Sequence, residues 1–156
     1  MQFTLFLLCG ISGLIAGTWA APAEKKKKDC CPPGWTQVEG HCYILQEDPR
    51  IFSDAERVCN ALGGNLASIT DAVKNAAVTQ LVRNGGFRPA WIGLTDAVTE
   101  QVFVWTDGSP FDFRSFFSSF FFGDCVFITS SGRWVTSRCF FRFPFVCGQE
   151  ACCDPH

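Results

Sequence analysis

Histidine is almost missing from this chain, with only His41 and His156 in 156 residues. So few imidazoles give no pair to ligate zinc, and His41, next to Cys42, is expected to be a surface ring rather than a general base. No Gly-x-Ser-x-Gly elbow and no phosphate-cradling glycine loop is present. The cysteines do not make good the deficit. Cys30-Cys31 and Cys152-Cys153 are adjacent pairs, not the Cys-x-x-Cys knuckles of zinc sites, so no metal is expected on them. These gaps argue against an enzyme. Charge is also scarce at 18%, with a net −2. Glu24 to Asp29 holds four lysines against two acids, net +2, which leaves −4 for the remainder. Basic residues there are scattered, so a nucleic-acid partner is not expected.

Cysteine and apolar side chains are plentiful: ten cysteines, 47% hydrophobic residues and 15% aromatics, enough for one disulfide-stapled domain. Residues 1–20 read as a signal peptide, with Leu5-Phe6-Leu7-Leu8 through Ile15-Ala16 as its apolar core and Gly17, Thr18 and Ala20 before the cleavage point. A membrane anchor needs a longer run. Residues 21–29 read as a lysine-rich linker or pro-segment, 30–150 as the domain and 151–156 as a cysteine-containing tail. Loss of Cys9 with the signal leaves nine cysteines, a number suited to a secreted, extracellular protein and odd enough to leave one thiol over.

The stretch from Gly123 to Cys147 carries three cysteines among alternating apolar residues. Cys125 and Cys139 bracket Val126, Ile128, Trp134 and Val135 around a Ser130-Ser131-Gly132 turn, the pattern of two stapled strands. Cys147 is left to reach a partner upstream. Earlier, Cys31-Pro32-Pro33-Gly34-Trp35 leads into a short hairpin that Cys31 and Cys42 can close. Ser53-Asp54-Ala55-Glu56 predicts a capping box, followed by a helix whose Ala55, Val58, Cys59 and Leu62 form one inward face up to Gly63-Gly64. A second helix is expected from Thr70-Asp71 through Val73, Ala76, Ala77 and Leu81 to Asn84-Gly85-Gly86. Beyond it, Ala90 to Leu94, Val102 to Trp105 and the last segments read as short strands. Helices first and strands later predict an α+β fold.

The order of these landmarks resembles the C-type lectin-like domain family over about Cys30 to Glu150, in a compact form similar to fish lectins and type II antifreeze proteins. The matching residues are the Cys31 to Trp35 start, Cys42-Tyr43, Leu62 to Ile69, Trp91-Ile92-Gly93-Leu94, Trp105 to Pro110, Asp124-Cys125-Val126 and Pro144 to Cys147. The resemblance implies a double-loop fold with two helices and short antiparallel sheets. It pairs Cys59 with Cys147 and Cys125 with Cys139, and its long form adds Cys31 with Cys42.

The resemblance also implies a place for calcium, in a Glu-Pro-Asn or Gln-Pro-Asp triplet of the long loop and an Asn-Asp pair after a tryptophan. Calcium takes about 6–8 oxygen ligands. Here the loop from Phe113 to Gly123 has no Glu, Gln, Asn or proline, and Val135-Thr136 follow Trp134. Asp112 and Asp124 alone are too few, so no calcium or other cofactor is expected. Phe116, Phe117, Phe120, Phe121 and Phe122 stand in place of the oxygens. Either Phe116 fills a core position usually held by tryptophan and the others collapse onto the domain, or the rings form an exposed patch, with Arg114 shielding one side.

The candidate ligand-binding residues are therefore Phe116, Phe117, Phe120, Phe121, Phe122, Asp124 and Thr136. The expected function is a secreted recognition module for a glycan, a protein or a lipid surface, with the calcium-dependent sugar site lost. The alternative is ice binding or another surface-binding role, for which Thr129, Ser130, Ser131, Thr136 and Ser137 are a thin hydroxyl face. Cys30, Cys152 and Cys153 fall outside the family's disulfides. A bond from Cys30 to either tail cysteine leaves one thiol for a disulfide-linked homodimer.

Overall fold

The computed structural model describes residues 30–118 and 122–152. The expected signal segment, the lysine-rich stretch, Phe120, Phe121 and Cys153 lie outside them. In chain order the elements are β1 (Thr36–Val38), β2 (His41–Arg50), α1 (Phe52–Ala61), β3 (Asn65–Leu66), α2 (Ala72–Asn84), β4 (Ala90–Thr95), β5 (Val104–Trp105), β6 (Cys125–Ile128), β7 (Trp134–Ser137) and β8 (Phe143–Glu150). The fold is the expected α+β arrangement.

The opening hairpin turns at Glu39 and Gly40, both with positive φ (47° and 79°), which suits the twist of the flanking strands. The strands run in the order β1-β2-β8-β4-β6-β7, with β3 beside β8 and β5 beside β4. Strand β8 is the hub. It pairs antiparallel with β2 from His41↔Glu150 to Arg50↔Phe143, antiparallel with β3 at Leu66↔Cys147, and parallel with β4 at Trp91↔Phe145. A strand covered on both faces needs apolar side chains on both, and β8 contributes to two apolar clusters. Pro144, Phe145, Val146 and Cys147 are accordingly all buried, as is every residue of β4. Gly93 permits the close approach of the Leu66–Ala67 backbone and of Thr106 to β4. A Cβ there would lie 2.5 Å from the Leu66 carbonyl oxygen and 2.9 Å from Thr106 Oγ1, while the Gly93 N–H donates to Ala67 O and its carbonyl accepts from the Thr106 N–H.

Two apolar clusters fill the interior. One gathers Tyr43, Ile92, Leu94, Trp105, Val126 and Trp134; the other joins Phe52, Cys59, Leu66, Trp91, Phe145 and Cys147. All three expected disulfides are present: Cys31–Cys42, Cys59–Cys147 and Cys125–Cys139, with Cα separations of 5.6, 5.3 and 5.2 Å. Cys30 is also disulfide-bonded, whereas Cys152 is free and exposed and so is not its partner.

Two local expectations are corrected. Helix α1 starts at Phe52, one residue before the supposed cap, and its N-cap Ile51 makes no side-chain cap bond. Glu56 does not reach back to the helix start. Its Oε2 accepts from the Leu66 N–H (2.7 Å) and Thr106 Oγ1 (3.1 Å), and its Oε1 from Asn65 Nδ2 (2.6 Å). A carboxylate that satisfies an otherwise unpaired strand N–H gains more than one repeating a contact water can supply. Leu62, assigned to the inward face, is 44% exposed because the chain has already left the helix.

The second expected helix is present as α2. Lys74, Val78, Thr79 and Val82 are buried, while Val73 is 54% exposed. Asn75 sets the rotation: its Oδ1 accepts from Trp134 Nε1 (2.9 Å) and its Nδ2 donates to the Gly132 carbonyl (3.0 Å). Asp71 caps the helix by accepting from the Lys74 N–H (2.8 Å), a bond that holds its carboxyl below the usual carboxylate range, with help from the Lys74 ammonium. Tyr43 is fully buried, donates to the Ser68 carbonyl (2.9 Å), and has its phenol pushed far up by burial and then by the Asp71 and Asp107 charges.

The Cys59–Cys147 bond, spanning 88 positions, ties α1 to the hub strand. Replacing both cysteines with alanine is expected to cost about 4–5 kcal/mol in urea unfolding, against about 3 kcal/mol for the Cys125–Cys139 pair. Equal losses from the two double variants would contradict this ordering.

Candidate functional site: the phenylalanine loop

The long segment between β5 and β6 is fastened at its root by aromatic packing. Phe116 is half-buried and meets Trp134 edge-on, with ring centroids 5.6 Å apart and an interplanar angle of 81°. It also touches Phe103 at 5.2 Å, and Phe113 packs on Trp134 at 5.7 Å. The backbones join as well: the Trp134 N–H donates to Ser115 O and the Phe117 N–H to Trp134 O, both at 2.9 Å. The Arg114 guanidinium sits 4.5 Å over the Phe111 ring, so Arg114 covers an aromatic face near the root.

The exit of the loop is equally defined. The Phe122 N–H donates to Thr136 Oγ1 at 2.7 Å. Gly123, at φ +113°, lies flat against the Ser137–Arg138 peptide, where a Cβ would come within 2.5 Å of the Ser137 carbonyl. Only glycine fits there. Fixed at root and exit, the loop leaves Phe117 73% and Phe122 75% exposed. Phe116 thus packs half-buried against the core cluster, while Phe117 and Phe122 face solvent. Phe120 and Phe121 lie outside the described residues.

The other candidates are distributed differently. Thr136 is buried and spends its hydroxyl oxygen on Phe122. Ser137 is buried too, and Thr129 and Ser131 bond each other at 2.8 Å, so the hydroxyls proposed for an ice-facing surface do not share an open face. Asp124 is half-buried; its carbonyl accepts from Thr95 Oγ1 (2.5 Å) and from the Asp96 N–H (3.1 Å). Asp112 is exposed.

Among the described residues no group of three or more His, Cys, Asp and Glu side chains is placed to hold a metal ion. Sequence reasoning did miss Asp96. It is 3% exposed, its Oδ2 accepts from the Gln101 N–H (2.9 Å), and its Oδ1 is buried without a hydrogen-bond partner. An acid two residues after the apolar Trp91 to Leu94 run was the available signal. Beside the start of β2 and the end of β8 a polar cleft of about 230 Å³ is lined by His41, Asn65, Asp107, Ser109, Gln149 and Glu150. Asp107 is occupied there, accepting from Ser68 Oγ (2.5 Å) and from the Ser109 N–H (2.9 Å).

The hub strand, the disulfides and the tethered long loop agree with a comparison by family: the model described as "Lectin C-type domain" matches residues 48–149. The chain belongs to the C-type lectin domain family. Ladderlectin of Oncorhynchus mykiss is 37% identical over 92 residues, 58% of this chain. The match spans about half of ladderlectin's length, 48%. The galactose-specific lectin nattectin of Thalassophryne nattereri is 34% identical over 112 residues, 70% of this chain and 67% of its own. Among solved structures, a calcium-independent type II antifreeze protein superposes with a TM-score of 0.72 at 24% identity, covering 78% of this chain and 95% of the other, a likeness of fold.

This C-type lectin domain therefore carries neighbouring phenylalanines with opposite duties. Phe116→Ala opens space beside Trp134 and is expected to cost about 2–4 kcal/mol, toward the range for buried phenylalanine. Phe117→Ala should fall within about 0.5 kcal/mol of the parent. Denaturant unfolding of the two variants checks this, and comparable losses would show that Phe117 is buried in solution.

Proposed function

We propose that this C-type lectin domain is a secreted recognition protein that binds its ligand through the aromatic surface of the long loop, without calcium and without catalysis. The observation that carries the reading is the exposure of Phe117 and Phe122 (73% and 75%) on a loop whose root and exit are both fixed. Pre-ordered rings lose little conformational freedom on contact, which favours binding by a modest surface. A glycan-type ligand is the first expectation, because nattectin carries the name of a galactose-specific lectin and aromatic faces stack on the C–H faces of sugar rings. A protein ligand would use the same rings as anchors. Secretion is supported by three disulfides that a reducing compartment would not sustain. An ice-binding role finds less support, since Thr136 and Ser137 are buried.

Calcium independence rests on the donor set. Asp96 Oδ1 is a single unpartnered oxygen, and the loop phenylalanines add none. A glycan array run in millimolar calcium and again in chelator, with thermal unfolding in both buffers, tests the proposal. Retained binding in chelator, an unchanged Tm, and loss of binding in Phe117→Ser are the expected results. A submillimolar calcium site would raise Tm by mass action. A chelator-reversible rise, with glycan binding only in calcium, would overturn the reading.

A further inference from the structure

A second aromatic surface lies outside the long loop, in the connection from β7 to β8. Phe140 is 62% and Phe141 47% exposed, with their ring centroids 5.1 Å apart. Arg138 and Arg142 flank them, both exposed. Among the described residues neither arginine has an ion-pair partner, whereas Asp48 and Asp54, on the strand and helix beside this connection, are each taken by an arginine of their own segment, Arg50 and Arg57.

The turn is held firmly from beneath. The Phe141 N–H donates to the Arg138 carbonyl (3.2 Å), and the Cys139 carbonyl accepts from Phe52 N–H at the start of α1 (3.0 Å). Cys139 is bonded to Cys125. Phe143 packs into Trp91 at 4.8 Å and Phe127 at 4.9 Å. Phe140 and Phe141 are thus left outside a cluster that could have buried one of them, on a backbone that needs no ordering.

We propose that the Arg138 to Arg142 turn docks this protein on anionic lipid bilayers, with Phe140 and Phe141 entering the headgroup boundary and the two arginines meeting lipid phosphates and carboxylates. Paired aromatics between cations are the chemistry of interfacial anchors, in which apolar insertion and attraction to negative lipids add. A stable protein partner would need about 800 Å² of matched surface on this side, more than one turn presents, while a bilayer accepts two rings without a shaped counterpart. The inference goes beyond the proposed glycan or protein ligand and uses different residues.

Co-sedimentation of the full secreted protein with vesicles of phosphatidylcholine, with and without phosphatidylserine, tests it. Binding to the serine-containing vesicles and little to phosphatidylcholine alone is expected. Phe140→Ser with Phe141→Ser, and separately Arg138→Gln with Arg142→Gln, should each lower the partition coefficient about tenfold or more. Both sets are surface changes, and unchanged Tm with an intact Cys125–Cys139 bond establishes that they fold. A third variant with Lys25 to Lys28 changed to Gln should keep its dependence on the turn. Absence of binding to either vesicle overturns the proposal, as does equal binding to both or a loss that follows the lysines or Phe117 and Phe122 instead of the turn. If the turn variants keep glycan binding but lose vesicles, the two surfaces are separate; if they lose glycan alone, the turn serves the other ligand and the lipid proposal fails.

Discussion

Trp134 is the contact on which both the fold and the loop depend. Its indole is fully buried, and its Nε1–H is spent on Asn75 of α2. Its faces and edges receive Phe116, Phe113 and Trp105, and its backbone exchanges hydrogen bonds with residues 115 and 117. One side chain therefore joins a helix, the β6–β7 edge and the long loop. An indole has a large apolar area and a single donor, so its burial is favoured where one acceptor is supplied. Asn75 supplies it and reaches Gly132 with its other end, which fixes how α2 is turned.

Oxygen ligands and aromatic rings organise a long loop by different physics. Carboxylates gathered around a cation repel one another without it, so such a loop is ordered by the ion. Here order comes from burial of Phe116 and from hydrogen bonds at Ser115, Phe117 and Phe122. The loop is held by the domain at both described ends, and Phe117 and Phe122 stay exposed. The same pattern recurs at the β7–β8 turn, where Phe143 is packed and Phe140 and Phe141 are left outside. In both places one aromatic anchors the segment that displays the next.

The disulfides and strands were legible from sequence because covalent closure and two-residue periodicity leave few alternatives. The Cys125–Cys139 staple, the Cys31–Cys42 hairpin and the six buried residues of β4 follow patterns that local spacing encodes. Side-chain choices made between distant segments were not legible. Ser53 to Glu56 has the form of a capping box, yet Glu56 is claimed by the Leu66 N–H and Thr106. The buried face of α2 is not legible because valine and alanine occur around the helix, and Asn75, a polar residue, is what bonds to the domain. The five-phenylalanine loop was visible as composition, but which rings are sheltered depends on Trp134. Asp96 and the Phe140–Phe141 pair were overlooked because burial and exposure, not residue type, distinguish them.

The account's central claim is that adjacent phenylalanines divide into sheltered anchors and displayed rings. Hydroxyl-radical footprinting of the folded protein, read residue by residue by mass spectrometry, measures this directly. Phe117, Phe122, Phe140 and Phe141 should label several-fold faster than Phe116, and Phe145 at 2% exposure should label least. Labelling of Phe117 and Phe122 as slow as that of Phe145 would mean that the loop has collapsed onto the domain, and would contradict the account.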